Sequence, residues 1–338
     1  MTDIDAHETS SDPAARKRVL TGYRPTGPLH VGHWFGNIQN MLQLQDQHEA
    51  FFFVADWHAL TTDYEQTEAL PGNVRELLLD WLAAGIDPER ATVYRQSDIA
   101  EVAELALLLG MVVPLGWLER VPTYKERLRD LEGREIANYG LLGYPVLQTV
   151  DIVIVRGELV PVGEDQVPHL ELAREIVRRF NGLYGPVLIE PQALLSETPK
   201  IPGIDGRKMS SSLQNDIRIG DAPDVMRKKV GRMFTDPEKI RLGDPGRPEI
   251  CPVFALHQQF SGEILEWTAG GCRAGTLACV DCKTNLADRM VSAFAPFQER
   301  RGDLDPSRAD AVLNEGREKV RPAIDETMRA VRSAMHLV

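Results

Sequence analysis

From residue 18 onward, short apolar runs alternate with longer stretches of helical periodicity, and no other feature of the chain restricts its fold as much. A strand buried in a parallel sheet reads as a continuous apolar run because helices cover both faces, whereas a surface helix places apolar residues three and four apart. RVLTGY predicts a first strand, GHWFGNIQNMLQLQDQ a helix, AFFFVADWHAL a second strand, NVRELLLDWLAAGIDP a helix stopped by Gly85 ahead of Pro88, and ATVYRQSD a third strand. This is the rhythm of an α/β protein with a doubly wound parallel sheet. Between about residues 100 and 145 it lapses into AEVAELALLLGMVV and a charged LERVPTYKERLRDLEGRE, which predicts an insertion between the two halves of the sheet. DIVIVRGELVPVGEDQ returns to strand character, and VPHLELAREIVRRFN is an amphipathic helix with Asn181-Gly182 as its stop signal. From about residue 220 the chain reads as charged and helical. The expectation is a disordered tail over 1–16, an α/β domain over 17–219 and an all-α domain over 220–338.

Composition agrees with that division. At 338 residues the chain exceeds one typical domain of about 100–200 residues. Its 43% hydrophobic and 26% charged content are ordinary for globular proteins and exclude wholesale disorder. No apolar run approaches the ~18 residues of a membrane helix. The opening MTDIDAHETSSDPAA is polar and acidic, without the basic start and apolar stretch of a secretory signal, so a cytoplasmic protein with no membrane partner is expected. A net charge of −12 argues against indiscriminate coating of nucleic acid and leaves room for a local basic face.

Two segments carry phosphate chemistry. In TGYRPTGPLHVGHWFGN, residues 21–37, a strand enters a Gly/Pro-rich turn and then a helix whose first turn holds His30, Gly32 and His33. Such a turn presents backbone N–H groups and the positive helix end to a phosphate. Two histidines three residues apart share a helix face and can donate to phosphate oxygens together, and Gly32 leaves room for a flat ring against the backbone. The plain alternative is a helix start with two surface histidines. The second segment, GRKMSSS, sets Lys208 in a polar loop beside Ser210, Ser211 and Ser212. A mobile cation that closes over a triphosphate stabilises the charge developing on pyrophosphate more than the ground state.

HVGH and KMSSS resemble the two signatures, HIGH and KMSKS, of the class I aminoacyl-tRNA synthetases. The resemblance implies a Rossmann-like catalytic domain that joins an amino acid to ATP, acting with Mg²⁺, as an aminoacyl-adenylate. Pyrophosphate is lost and the acyl group then passes to tRNA, without a covalent enzyme intermediate. It further implies that His30 and His33 contact the triphosphate in the transition state and that Lys208 stabilises the pyrophosphate. Arg24, Pro25, Thr26, Gly32, Ile201, Met209, Ser210, Ser211 and Ser212 join them in the ATP site. Ser211 departs from the pattern, standing where the signature has a second lysine, so more of the role falls on Lys208.

GWLERVPTYKE, GYPVLQTVDI and VPVGEDQVPHLELAREIVRRFN are similar to tryptophanyl-tRNA synthetases in particular, and the likeness runs from residue 18 to the end. It implies L-tryptophan and tRNA-Trp as substrates, with Asp151 accepting the indole N–H, a group that can only donate. Tyr144 and Gln166 match positions that hold the amino acid's ammonium and polar groups, and His58, Gln148, Val160 and Val162 belong to the same pocket. Gly163, Glu164 and Asp165 match a loop against the ATP ribose. Read without the resemblance, Asp151 is a helix cap or surface acid and Tyr144 a core aromatic. Gln148 also occurs in the related tyrosyl enzymes, but GEDQVPH differs from their GSDQWGN. A tyrosyl-tRNA synthetase is the rival enzyme, and a catalytically inactive, synthetase-derived RNA-binding or regulatory protein the rival from another class.

All four cysteines, Cys251, Cys272, Cys279 and Cys282, fall in one corner with the spacing C-x20-C-x6-C-x2-C. A reducing compartment disfavours disulfides, and clustered thiols there are more often ligands or redox groups. The pattern resembles the four-cysteine site of some bacterial tryptophanyl enzymes, which implies a [4Fe–4S] cluster, with tetrahedral zinc or free thiols as the alternatives. The basic runs MRKKVGRM and REKVRPAIDETMRAVRSAM read either as faces that track tRNA phosphates or as solvated, salt-bridged helices. The resemblance also implies a homodimer whose helical C-terminal domain reads the anticodon.

Overall fold

The computed structural model describes residues 16–65, 67–125, 138–163, 166–195 and 199–337. The chain opens with β1 (Arg18–Tyr23), a helical turn Val31–His33, a π-helical turn Trp34–Ile38 and α1 (Gln39–Gln47). Then come β2 (Glu49–Val54), α2 (Asp56–Asp63), α3 (Leu70–Ala84), β3 (Ala91–Arg95) and α4 (Ala100–Gly110). The second half of the sheet is built from α5 (Tyr139–Ile154), β4 (Leu159–Val162), α6 (Val167–Tyr184) and β5 (Gln192–Leu195). Five longer helices follow: α7 (Pro223–Gly231), α8 (Pro252–Phe260), α9 (Leu265–Arg273), α10 (Cys279–Asp303) and α11 (Ser307–Ala334).

All strand pairs are parallel, in the order β3-β2-β1-β4-β5. The chain thus starts mid-sheet, winds outward through β2 and β3, and returns to the other side of β1. Between β1 and β4 the winding reverses, and the crevice beyond the carboxyl ends of such strands is where open α/β sheets bind ligands. Alternation along the strands sorts the core into two layers. Val19, Phe52, Val54 and Val93 pack on one face, with Met226, Leu256, Phe294 and Phe297 from the C-terminal helices. Leu20, Phe51, Phe53 and Tyr94 pack on the other, with Ile324, Met328 and Val331 of α11. The helices after residue 220 therefore share both apolar layers with the sheet.

The structure departs from the sequence reading at several places, one of them the predicted strand ATVYRQSD, which ends at Arg95 with Gln96–Asp98 in a 3-10 turn. The second strand stops at Val54, because Asp56 accepts hydrogen bonds from the backbone of Trp57 and Ser97 and starts α2, so WHAL is helical. Asp151–Ile154 form the last turn of α5 rather than a strand. Val150, Ile152, Val153 and Ile154 are at most 2% exposed, and burial on every side erases the period that separates helix from strand. Finally, α6 continues through Asn181-Gly182 and ends at Gly185, which adopts φ 96°. Asn181 instead ties down the next loop, donating to Leu188 O at 2.8 Å and accepting from the Val187 and Leu188 amides.

Helix α11 covers the edge strand β3. Its close approach depends on Gly316, where a Cβ would stand 1.7 Å from the Val93 carbonyl oxygen. Gly316→Ala must push the helix away from the strand and is expected to cost at least about 1–3 kcal/mol. A urea titration will show this as a lower midpoint at unchanged slope.

Candidate active site

A cavity of about 540 Å³ lies beside the carboxyl ends of β1 and β4, at the reversal of winding. Its volume is that of a small-molecule site. The seven residues expected around the amino acid, Asp151, Tyr144, Gln148, Gln166, His58, Val160 and Val162, all line it, as do Arg24 and Gly163. Glu164 and Asp165 lie outside the described residues.

Asp151, on the last turn of α5, is 3% exposed. Burial raises its pKa above the ordinary carboxylate value, and hydrogen bonds from His58 and Gln96 oppose that rise. His58 Nε2 lies 2.8 Å from Oδ2, and Gln96 Nε2 donates to Oδ1 and Oδ2 at 2.8 and 3.0 Å. Among the described residues no lysine or arginine pairs with it, and its partners are His58 and Gln96. Gln96 was not anticipated from the sequence. It begins the turn after β3 and is fully buried, and a buried polar residue at the carboxyl end of a parallel strand is the signal that could have marked it.

Deeper in α5, the Tyr144 hydroxyl lies 2.5 Å from Thr123 Oγ1 and 2.6 Å from His169 Nε2, and those two are 2.8 Å apart. Thr123 and His169 also line the cavity and were likewise not anticipated. They fasten the insertion and α6 to α5 around one phenol.

The histidine motif lies outside that cavity. His30 is the N-cap (φ −115°, ψ 169°) rather than a member of the helical turn. Its Nδ1 accepts from the His33 amide at 3.2 Å, and His33 Nδ1 accepts from the His30 amide at 3.3 Å. This reciprocal capping box occupies both Nδ1 atoms, so each neutral ring carries its proton on Nε2. The rings stack with centroids 3.4 Å apart. A Cβ on Gly32 would meet His30 ring atoms at 3.0 Å, so a larger side chain would displace the ring. Just beyond, the π-helical turn Trp34–Ile38 carries Gly36 and Asn37 into the cavity wall, and such turns recur at functional sites.

Burial lowers His30 to about 4, against the opposing charge of Asp216, and burial with the neighbouring His30 lowers His33 to about 3. Both rings are neutral at pH 7 and act as N–H donors rather than cations. The unfolded chain takes up these protons near 6.5, the folded chain not until near 4 and 3, so stability falls as pH drops through that interval. A thermal melt series from pH 7 to about 4.5 should show this fall, and a His30→Gln/His33→Gln variant should show a shallower one.

The second motif is bound to the first. Val31 N donates to Ile217 O at 2.9 Å and Ile219 N to Leu29 O at 3.1 Å, while buried Met209 comes within 3.6 Å of the Gly32 Cβ position. Met209 N donates to Ile201 O at 3.0 Å, forming with the Pro202–Lys208 bridge a small hairpin on which Lys208 is exposed. Asn215, unanticipated and 2% exposed, clamps that hairpin. It accepts from Ser210 N at 2.8 Å and donates to Asp205 Oδ1 at 2.8 Å and Lys208 O at 3.2 Å. The Ser210 and Ser212 hydroxyls are 2.8 Å apart. Pro25, Thr26, Ile201, Ser211 and the rest of this motif stay outside the cavity that Asp151 lines.

The four cysteines are free thiols that border one small cavity together with Lys239 and Thr268. Cys251 caps α8, Cys272 ends α9, and Cys279 and Cys282 lie in the first turn of α10. Burial, then the neighbouring thiols, push Cys282 up to about 12. Lys239 is 7% exposed and donates to the carbonyls of Asp244 and Cys272, at 2.8 and 3.2 Å. Among the described residues the buried Thr268 hydroxyl has no hydrogen-bond partner, and a Cβ on Gly246 would meet Cys272 Sγ at 2.6 Å. Among the described residues no group of three or more His, Cys, Asp or Glu side chains closes on a single metal position.

The basic helices are largely neutralised. Arg227, Lys228 and Lys229 pair with Asp288, Asp224 and Asp221, and Lys319, Arg321 and Arg332 with Glu89, Glu101 and Glu104. No helix among the described residues is long and apolar enough to cross a membrane.

Residues 13–295 match the family model for class I tRNA synthetases of the tryptophan and tyrosine type. The chain is 48% identical to the tryptophan–tRNA ligase of Thermotoga maritima, over 95% of this chain and 99% of that protein. It is 44% identical to the tryptophan–tRNA ligase of Aquifex aeolicus, over 95% and 100%. The crystal structure of tryptophanyl-tRNA synthetase from Campylobacter jejuni, complexed with ADP and tryptophan, superposes with a TM-score of 0.85 at 33% identity, covering 94% of this chain and 99% of that one.

Proposed function

The chain belongs to the tryptophanyl-tRNA synthetases of class I, and from that premise we propose how its residues divide the work of a tryptophan–tRNA ligase. L-Tryptophan and ATP, entering as its Mg²⁺ complex, give tryptophanyl-adenylate and pyrophosphate, and the tryptophanyl group then passes to tRNA-Trp. The observation that carries the division is Asp151, a buried carboxylate lining the cavity at the sheet's reversal, with no lysine or arginine paired to it among the described residues. It accepts the indole N–H. Val160, Val162 and Gln148 enclose the ring, while Tyr144 and Gln166 hold the ammonium end. His58 helps fix Asp151.

Held in place, the substrate carboxylate attacks the α-phosphorus and the bond to the β,γ-pyrophosphate breaks. His30 and His33 donate from Nε2 to the triphosphate, and Lys208 closes on the departing pyrophosphate as its charge grows. Arg24, Pro25, Thr26, Gly32, Ile201, Met209 and Ser210–Ser212 form the surrounding ATP site, with Gly163, Glu164 and Asp165 at the ribose. The enzyme acts in the cytoplasm as a homodimer, with residues 17–219 catalytic and 220–338 directed to the anticodon. Charging of tRNA-Trp by the purified protein tests the whole reading: tryptophan esterified to the tRNA supports it, and tRNA binding without charging would identify an inactive relative instead.

The four-cysteine cavity fits a [4Fe–4S] cluster by its donors: four thiols, a buried lysine able to offset the negative charge of thiolates, and a hydroxyl without a partner. Cys251, Cys272, Cys279 and Cys282 would hold it, linking α8, α9 and α10, and no step of adenylation passes through it. Protein purified anaerobically is expected to be brown, absorbing broadly near about 400 nm, with iron and sulfide bound. A colourless protein carrying one zinc per chain would assign the site to zinc.

A further inference from the structure

We propose that Gln96, which does not itself contact the substrate, is the positioning residue that keeps Asp151 an acceptor and so sets the preference for an amino acid whose ring ends in an N–H donor. This rests on the reading of the cavity as the tryptophan site.

The orientation of the Gln96 amide follows from its surroundings. Its Oε1 accepts from the Trp57 and His58 backbone amides, at 3.1 and 3.4 Å, which leaves only the NH₂ end for Asp151. That NH₂ spans both carboxylate oxygens at 2.8 and 3.0 Å. An NH₂ group can donate and cannot accept. It therefore favours the ionised carboxylate, because a protonated Asp151 would turn a hydroxyl toward a donor at one oxygen or lose an acceptor at the other. Asp151 is otherwise placed to become protonated: it is 3% exposed, and Asp56 adds a like charge nearby. The titratable groups acting on it are His58 and Asp56 at the start of α2 and Tyr94 on β3. A protonated Asp151 would be a competing donor in front of the indole N–H.

Gln96 also couples three elements. It stands at the end of β3, holds the first turn of α2 through its carbonyl, and holds the last turn of α5 through its amide. His58, the second partner of Asp151, is thereby fixed through its own backbone N–H. One fully buried side chain thus sets both the charge and the place of the specificity-determining carboxylate.

The experiment is amino-acid-dependent ATP–pyrophosphate exchange by the full-length protein, comparing tryptophan with an analogue whose ring nitrogen is replaced by sulfur. Wild type, Gln96→Met and Gln96→Glu are assayed from about pH 6 to about pH 9. Gln96→Met keeps the shape and removes the donor. It is expected to raise KM for tryptophan ~10–100-fold with kcat within about threefold, while KM for the sulfur analogue stays within about threefold, so the preference collapses. Gln96→Glu places a second carboxyl against Asp151, and the pair holds one shared proton at low pH. Its preference for tryptophan should be near wild type at about pH 6 and fall ~10-fold by about pH 9. Equal losses for both substrates in Gln96→Met would reduce Gln96 to packing, and a pH-independent Gln96→Glu would likewise overturn the proposal. If Gln96→Met does not fold, the pH profile of Gln96→Glu decides. Wild-type protein indifferent to tryptophan is a separate outcome, which removes the tryptophan site and this proposal with it.

Discussion

Lys208→Ala is expected to lower kcat for tryptophan-dependent pyrophosphate exchange by ~10²–10³-fold while KM for tryptophan stays within about threefold. The split follows from where the lysine sits. Lys208 is exposed on a hairpin outside the amino-acid cavity, so its loss leaves tryptophan binding alone. The backbone beneath it is held by Asn215, through Lys208 O and Ser210 N. The ammonium is therefore aimed from a fixed base, while its stem stays mobile enough to follow a phosphate. Ser211 occupies the position where the signature has a second lysine, which concentrates the positive charge of the motif on this one side chain. An interaction made only as pyrophosphate charge develops lowers the barrier without tightening the ground state. Steady-state kinetics with tryptophan and ATP varied in turn check it, and an unchanged kcat with a raised KM for ATP would make Lys208 a ground-state ligand.

The second large effect is at Asp151. Asp151→Ala is expected to lower kcat/KM for tryptophan by ~10²–10⁴-fold, because a site built on one buried polar partner discriminates strongly only while that partner is present. Truncation would remove the acceptor proposed for the indole N–H and leave the donors of His58 and Gln96 without their carboxylate partner. Each orphaned group costs about 1–3 kcal/mol. The sulfur analogue of tryptophan, which never used the acceptor, should lose far less. Kinetics with the two substrates, together with a urea titration of the variant, separate lost recognition from lost stability. Equal losses for both would move the acceptor role elsewhere in the cavity.

The parts of this molecule that could be read from its sequence are those whose meaning is local. HVGH and the Lys208 loop are continuous motifs and β1 is bounded as its apolar run predicts, although the reciprocal caps of His30 and His33 were not foreseen. The residues that hold those groups in place were not legible. Gln96 and Asp151 are 55 positions apart, Thr123 and His169 46, and although Gln96 stands at the carboxyl end of a predicted strand, neither ATVYRQSD nor GWLERVPTYKE says which polar side chain is buried. Asn215 lies a few residues past KMSSS, yet its role appears only when the chain folds back on Asp205 and Lys208. The strand reading of DIVIV failed for a related reason. A helix buried on all sides and a buried parallel strand present the same unbroken apolar run, and only packing against α4 and α6 decides between them.

On the reading proposed above, the Asp151 cavity selects tryptophan for activation by ATP. ATP–pyrophosphate exchange measured side by side with tryptophan and with tyrosine, on the purified wild-type protein, tests it most directly. Exchange driven by tryptophan and at least ~10³-fold weaker with tyrosine, in kcat/KM, is the predicted result. Exchange driven by tyrosine and not by tryptophan would contradict it.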